Sequence, residues 1–203
     1  MIDQIYCLHH IDLRERKQAL LADFSAQDIA VQWVEDFHPS TINYASLNTP
    51  LSIGEVSLWL KHVKVLEDQV ARGLSYVLVL EDDVAIPADF HRYIAQCARE
   101  LEALQGDVLF VGECCGIKPS NTVPDKLVYY DPSYRSRCTH AYIISLAASQ
   151  KVLRYKNDLD HPADHKFNHV IAAEALRSCY AEPAIMQKSE GSGNLNSMKS
   201  SLR

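Results

Sequence analysis

The chain has 203 residues, 47% of them hydrophobic, and a formal net charge of −6. That length suits one domain with a full core, and the composition excludes disordered and fibrous classes. The acidic balance argues against a general nucleic-acid binder, which shows a basic excess, but it allows an anionic ligand held by a few local basic residues.

The chain opens on an apolar stretch, "IDQIYCLHH", that predicts a strand. "DLRERKQALLADFSAQ" predicts a helix, with Leu13, Ala19, Leu20 and Phe24 apolar among charges. "IAVQWVEDF" predicts a second strand, and "HPSTINYASLNTP" a polar loop with prolines near both ends. A long helix is predicted from Ser52, where Glu55 completes a capping-box pattern. Val56, Trp59, Leu60, Val63 and Leu66 then recur at helical spacing, and Gly73 is placed to stop the helix. "YVLVLEDD" reads as a buried strand, and "PADFHRYIAQCARELEALQG" as a helix beginning near Pro87 or Ala88. "DVLFVGECC" and "KLVYYD" read as strands, and "HAYIISLAASQKVL" as a strand running into a helix. "HPADHKFNHVIAAEALRSC" predicts a helix and "YAEPAIMQK" a last extended piece. Strands alternate with helices, the pattern of an α/β domain with a mostly parallel sheet flanked by helices. One domain is expected over residues 1–188, with a Ser/Gly/Asn-rich tail over 189–203.

The six cysteines Cys7, Cys97, Cys114, Cys115, Cys138 and Cys179 include no Cys-x-x-Cys pair, which excludes a zinc ribbon. With no basic-then-apolar leader in view, they are expected as reduced thiols of a cytoplasmic protein. Every apolar run is far shorter than the roughly 20 residues of a membrane helix. The expectation is a soluble protein, at most peripheral to a membrane.

Residues 76–83 drive a buried strand into Glu81, Asp82 and Asp83. In open α/β sheets ligands bind beyond the carboxyl ends of strands. Three crowded carboxylates repel one another, and a divalent cation removes that cost. Hard oxygen ligands suit Mg²⁺ or Mn²⁺, which also hold a diphosphate. Strand alternation is expected to put Glu81 and Asp83 on one side and Asp82 on the other. The bland alternative is a helix N-terminal cap, for which one acid suffices. His161, His165 and His169 stand four apart, a weak zinc spacing that Pro162 interrupts.

Two families end a strand in such acids. A response-regulator receiver domain is loosely echoed by Asp131, Ser145 and Lys188, but it leaves about 75 preceding residues unexplained. The ordered set of motifs resembles glycosyltransferase family 25 along nearly the whole chain. "IYCLHHIDLRERKQAL" resembles that family's opening strand and Arg-rich turn, with Arg14 and Arg16 at the matching places. "LSIGEVSLWLKHVKVLE" resembles its Gly-Glu-x-Gly-Cys-x-x-Ser-His helix, and "YVLVLEDDV" its acidic motif. "THAYIISLAASQKVL" resembles its Ala-Tyr strand, "HPADHKF" its Pro-x-Asp element, and "EPAIMQKSEGS" its closing segment. Ser57 and Leu58 depart from Gly-Cys, and Lys61 departs from the Ser before His62.

The resemblance implies a GT-A fold and inverting transfer of a hexose, galactose or glucose, from a UDP-sugar to a glycan or glycolipid hydroxyl. Lipooligosaccharide or another surface glycan is the expected product. It implies Asp83 as first metal ligand and Glu81 as second, with Asp82 meeting the ribose or a neighbouring amide. Arg14 is the expected nucleotide contact, against an exposed helix-start arginine. His62 is expected at donor or acceptor, against a half-buried packing histidine. Two acids compete as general base: Asp164, which also fits a plain first-turn acid, and Glu113, which follows an apolar strand. Tyr134, Arg135 and Arg137 offer a loop that lines an anionic acceptor or diphosphate, against a plain solvated loop, the favoured reading. A non-catalytic carbohydrate-binding module of the same fold is the further alternative.

Overall fold

The protein is described here from a computed structural model covering residues 1–112 and 123–188. Glu113, Cys114, Cys115 and the 189–203 tail lie outside the described residues. The elements run β1 (Gln4–Leu8), α1 (Arg14–Ala26), β2 (Gln32–Val34), α2 (Ile53–Arg72), β3 (Tyr76–Glu81), α3 (Phe90–Ala103), β4 (Val108–Gly112), β5 (Val128–Tyr130), β6 (Ala141–Ser145), α4 (Leu146–Val152), α5 (Ala163–Ala173) and β7 (Ser178–Ile185). The strands form one seven-stranded sheet in the order β2-β1-β3-β6-β4-β7-β5. β1, β2, β3, β4 and β7 point the same way, and β6 and β5 run against them.

Side-chain alternation sorts the core to the two faces. On β3, Val77 and Val79 pack with Trp59, Leu66 and Phe167 on the side of α2 and α5. Leu78 and Leu80 pack with Leu20, Phe24, Ile94 and Leu101 on the side of α1 and α3. Burial on both faces explains why β3 and β4 are apolar throughout rather than alternating. α2 starts as its sequence dictates. Ser52 Oγ accepts from the Glu55 amide at 3.3 Å, and the Glu55 carboxylate accepts from the Ser52 amide at 2.7 Å. It stops at Gly73, whose φ of +66° suits a residue without Cβ.

Three segments depart from expectation. The loop over 38–50 contains two short 3₁₀ turns, Pro39–Thr41 and Tyr44–Ser46. α3 begins at Phe90, not Pro87, because residues 83–85 pair with the chain after β7. The Ala85 amide donates to the Met186 carbonyl at 2.8 Å, and the Lys188 amide to the Asp83 carbonyl at 2.6 Å. α5 ends at Ala173, so Ser178 and Cys179 belong to β7. The cysteines also differ from six reduced thiols: Cys138 is disulfide-bonded, while Cys7, Cys97 and Cys179 are free and buried. A disulfide persists in oxidising surroundings, which removes the cysteine argument for a cytoplasmic protein. Among the described residues, no helix is long and apolar enough to cross a membrane.

Gly112 closes β4 beside the fully buried His140, whose Nε2 bonds the Ile185 carbonyl at 2.9 Å. A Cβ at Gly112 would stand 2.3 Å from that nitrogen, so the buried ring must shift against its bond to Ile185. Gly112→Ala is expected to cost about 1–3 kcal/mol, as overpacking does. Urea unfolding would report it as a lower midpoint at unchanged slope, and an unshifted midpoint would refute it.

Candidate active site

Beyond the carboxyl end of β3 lies a cleft of about 360 Å³. The chain after β1 supplies His9, His10 and Asp12, α1 supplies Arg16, and α2 supplies Gly54, Ser57, Leu58 and Lys61. All three acids line it. They do not converge. Glu81, the last residue of β3, keeps strand parity and turns toward α2. Its Oε1 accepts from Thr139 Oγ1 at 2.7 Å and lies 3.5 Å from His62 Nε2. Asp82 turns toward β1 and α1. Its Oδ2 meets His9 Nδ1 at 2.8 Å and the His10 amide at 3.2 Å, and its Oδ1 accepts from Arg16 Nη1 at 3.0 Å.

Asp83 does not share Glu81's side as alternation predicts, because the strand ends at Glu81 and a turn follows. Its Oδ2 lies 3.8 Å from Arg16 and 3.4 Å from Gln187 Nε2. Its Oδ1 is buried with no hydrogen-bond partner, the one carboxylate oxygen in that condition among the described residues. A buried unpaired anionic oxygen is costly, and the titration reflects it. Burial, then the charges of Glu81 and Asp82, push the Asp83 carboxyl up to about 7 against the pull of Arg16. Burial also pushes Glu81 upward, but His62, Thr139 and His140 outweigh it and hold that carboxyl below its usual value. Asp83 Oδ1 therefore fits a hard cation of the Mg²⁺ or Mn²⁺ kind, which takes one or two carboxylates and completes its shell from phosphate and water.

The basic groups differ from expectation in one respect. Arg14 is exposed at the first position of α1 and does not line the cleft. Arg16 does. It stands four residues before Leu20 and eight before Phe24, the buried residues of α1, so helical periodicity aims it at the sheet. That spacing was the available signal. Lys61 is buried, with its Nζ donating to the Asp36 carbonyl. Burial draws its ammonium below the usual lysine range against the opposing charges of Asp36, Asp82 and Glu35.

His62 is fully buried, with Nδ1 3.0 Å from the Tyr142 hydroxyl and its ring edge-on to Phe167. It contacts Glu81 from behind and is not among the lining side chains. Asp164 sits in the first turn of α5, where its Oδ1 accepts from the His165 amide at 2.8 Å. It too is outside the lining set, although Phe167 of the same helix packs on His62. Arg135 bonds the carbonyls of Pro132 and Tyr134, and Tyr134 stacks on Tyr180. The receiver alternative fails on register. Ser145 pairs with Tyr76 at the opposite end of β3 from the acids, and its hydroxyl caps α4. Lys188 Nζ bonds Asp23 at 2.6 Å, and Asp131 accepts from Ser133.

Residues 11–167 match the model of "Glycosyltransferase family 25 (LPS biosynthesis protein)". The chain belongs to glycosyltransferase family 25. It is 25% identical to procollagen galactosyltransferase 1 of Danio rerio over 228 aligned residues, 95% of this chain and 37% of that protein. It is 34% identical over 105 residues to the probable inactive glycosyltransferase 25 family member 3 of Bos taurus, 51% of this chain and 18% of that protein. The chain thus spans well under half the length of these curated relatives. A crystal structure of a glycosyltransferase involved in glycosylation of the major capsid of PBCV-1 superposes with a TM-score of 0.53 at 11% identity, covering 98% of this chain and 97% of that one. The likeness shows a shared GT-A-like α/β fold.

In this family 25 chain the raised Asp83 pKa has a stability consequence of definite sign. The folded state binds a proton to Asp83 more tightly than the unfolded chain, whose carboxylates titrate near ~4. Stability is therefore lost as pH rises from ~4 through about 7. In EDTA, Asp83→Asn is expected to raise the melting temperature at pH 8 and to change it little at pH 4. A fall at pH 8 would contradict the assignment.

Proposed function

We propose that this cleft is the donor site of a metal-assisted hexosyltransferase, which takes a UDP-sugar and transfers the hexose with inversion to a glycan or glycolipid hydroxyl. The observation that carries the reading is Asp83 Oδ1, a buried oxygen without a partner at the carboxyl end of a central strand. Asp83 would hold a divalent cation there, which when bound would supply Lewis-acid neutralisation of the diphosphate leaving group, and Glu81 adds charge to the same cleft from the α2 side. Asp82, bonded by His9, the His10 amide and Arg16, fixes the turn that aims Asp83. Arg16 and Lys61 offer positive charge to the phosphates. His62 acts as a positioning residue through Glu81. Arg14 reaches the nucleotide only from outside the lining set. For the acceptor proton, Asp164 is the base we favour, with Glu113 the alternative.

The galactosyltransferases among the relatives support galactose as the hexose. The family description supports a lipopolysaccharide-type surface glycan as product. A glycolipid acceptor would bring the cleft to a membrane surface. A second reading, a binding module of the same fold without transfer, is favoured by relatives described as inactive.

Calorimetric titration of UDP with Mn²⁺ and then with EDTA tests the donor site, and hydrolysis of UDP-galactose and UDP-glucose tests the chemistry. We expect binding only with metal, slow donor hydrolysis, and a loss of turnover in Asp83→Ala on the order of 100-fold with an unchanged circular-dichroism spectrum. Full turnover in that variant would overturn the reading. Metal-dependent binding without hydrolysis would establish the module instead.

A further inference from the structure

The three acids diverge, but another group of ligand-type side chains does converge. Among the described residues, His10, Asp12 and His38 can each offer one donor atom so that all three lie within 4.8 Å of one another. They come from two parts of the chain. His10 and Asp12 occupy the turn after β1, and His38 caps the 3₁₀ turn Pro39–Thr41 that follows β2. His38 Nε2 lies 3.0 Å from Asp12 Oδ2, and His10 Nδ1 lies 4.0 Å from the same oxygen. Two donors each about 2.1 Å from one ion stand about 3.0–3.4 Å apart at right or tetrahedral angles. The first separation already satisfies this, and the second requires a shift of the exposed Asp12 side chain toward His10.

The surroundings prepare both imidazoles. His38 Nδ1 lies 2.7 Å from Ser40 Oγ and accepts from the Ser40 amide at 3.2 Å, outer contacts that aim Nε2 at Asp12; coordination through Nε2 takes the tautomer in which Nδ1 donates to Ser40 Oγ. His10 Nδ1 accepts from the Asp12 amide at 3.3 Å, a long bond that an ion on that nitrogen would displace, and His10 Nε2 has no hydrogen-bond partner. The segment carrying His38 is held from α2. Ser57 Oγ donates to the Phe37 carbonyl at 2.6 Å, Lys64 Nζ to Asp36 Oδ1 at 2.9 Å, and Lys61 Nζ to the Asp36 carbonyl. Phe37 itself sits at φ +58°, a conformation that needs such support.

We infer that His10, Asp12 and His38 form a transition-metal site at the rim of the cleft, for a borderline ion such as Zn²⁺. Two imidazoles and one carboxylate select such an ion over Mg²⁺, which prefers oxygen alone, and three protein ligands leave positions open for water or a bound group. The ion cross-links the turn after β1 to the segment after β2. His10 and Asp12 also line the cleft, so it bounds the same space as the acids with a different donor chemistry. The inference stands independently of the transferase reading.

Titration of Zn²⁺ alone into the protein, followed by calorimetry, tests it. One equivalent is expected to bind. His38→Gln and Asp12→Asn should each weaken it by at least about tenfold, and Asp83→Asn should leave it unchanged. Co²⁺ should give a visible d–d spectrum that His38→Gln abolishes. Circular dichroism of each variant checks that the fold survives. Absence of Zn²⁺ binding would reduce the cluster to an Asp12–His38 hydrogen bond and overturn the inference. Retention of the ion in His38→Gln would overturn it equally, placing the ion on other side chains.

Discussion

Asp82 is the joint on which the site depends. Its two oxygens collect a histidine and a backbone amide from the chain after β1 and an arginine from α1. His9 and Asp82 are both buried, so these charge-assisted bonds act with little solvent screening. Three elements are thereby fixed at one carboxylate. Removing Asp82 would take from Arg16 and His9 the carboxylate they share, and the turn carrying Asp83 would lose its anchor.

The same anchoring explains why the three acids are chemically unlike. Asp82 is saturated with donors. Glu81 has Thr139 and His62 on its inner side. Asp83 has a shared claim on Arg16 at 3.8 Å and a long contact to Gln187, and one oxygen with nothing. Crowding like charges concentrates its cost on the member with the fewest compensating donors, and that member is Asp83. Asp82 and Glu81 thus have partners within the protein, while Asp83 carries the repulsion of both. The Val84–Gln187 bridge keeps Asp83 from swinging away.

Much of the fold was legible because its signals are local. The capping box at Ser52 and Glu55, the stop at Gly73 and the doubly buried run of β3 each depend on neighbours within a few residues. What escaped was set by contacts distant in sequence. α3 starts late because residues 83–85 pair with 186–188, and no local propensity near Pro87 registers that partner. The place of the acid cluster at a strand end lining a cleft was legible, but the direction of each carboxylate was not, because strand alternation holds only while the strand lasts. Arg14 and Arg16 were indistinguishable by composition. Only the register of α1 against the sheet separates them, and Leu20 and Phe24 already encoded that register.

The departures from the family pattern on α2 follow from the same geometry. Ser57 and Lys61 are four apart and share a helix face, and both donate to consecutive carbonyls, those of Phe37 and Asp36. Lys64 adds a bond to the Asp36 side chain from the next turn. A glycine at 57 could donate nothing to this segment, and a serine at 61 would be too short to span the gap a lysine spans. The substitutions therefore act as a pair, trading a plain helix face for a clamp on the chain after β2. That clamp brings His38 to His10 and Asp12, and it buries Lys61 beside the acids. The departures thus change what bounds the cleft while leaving the sheet, the acid turn and the fold intact.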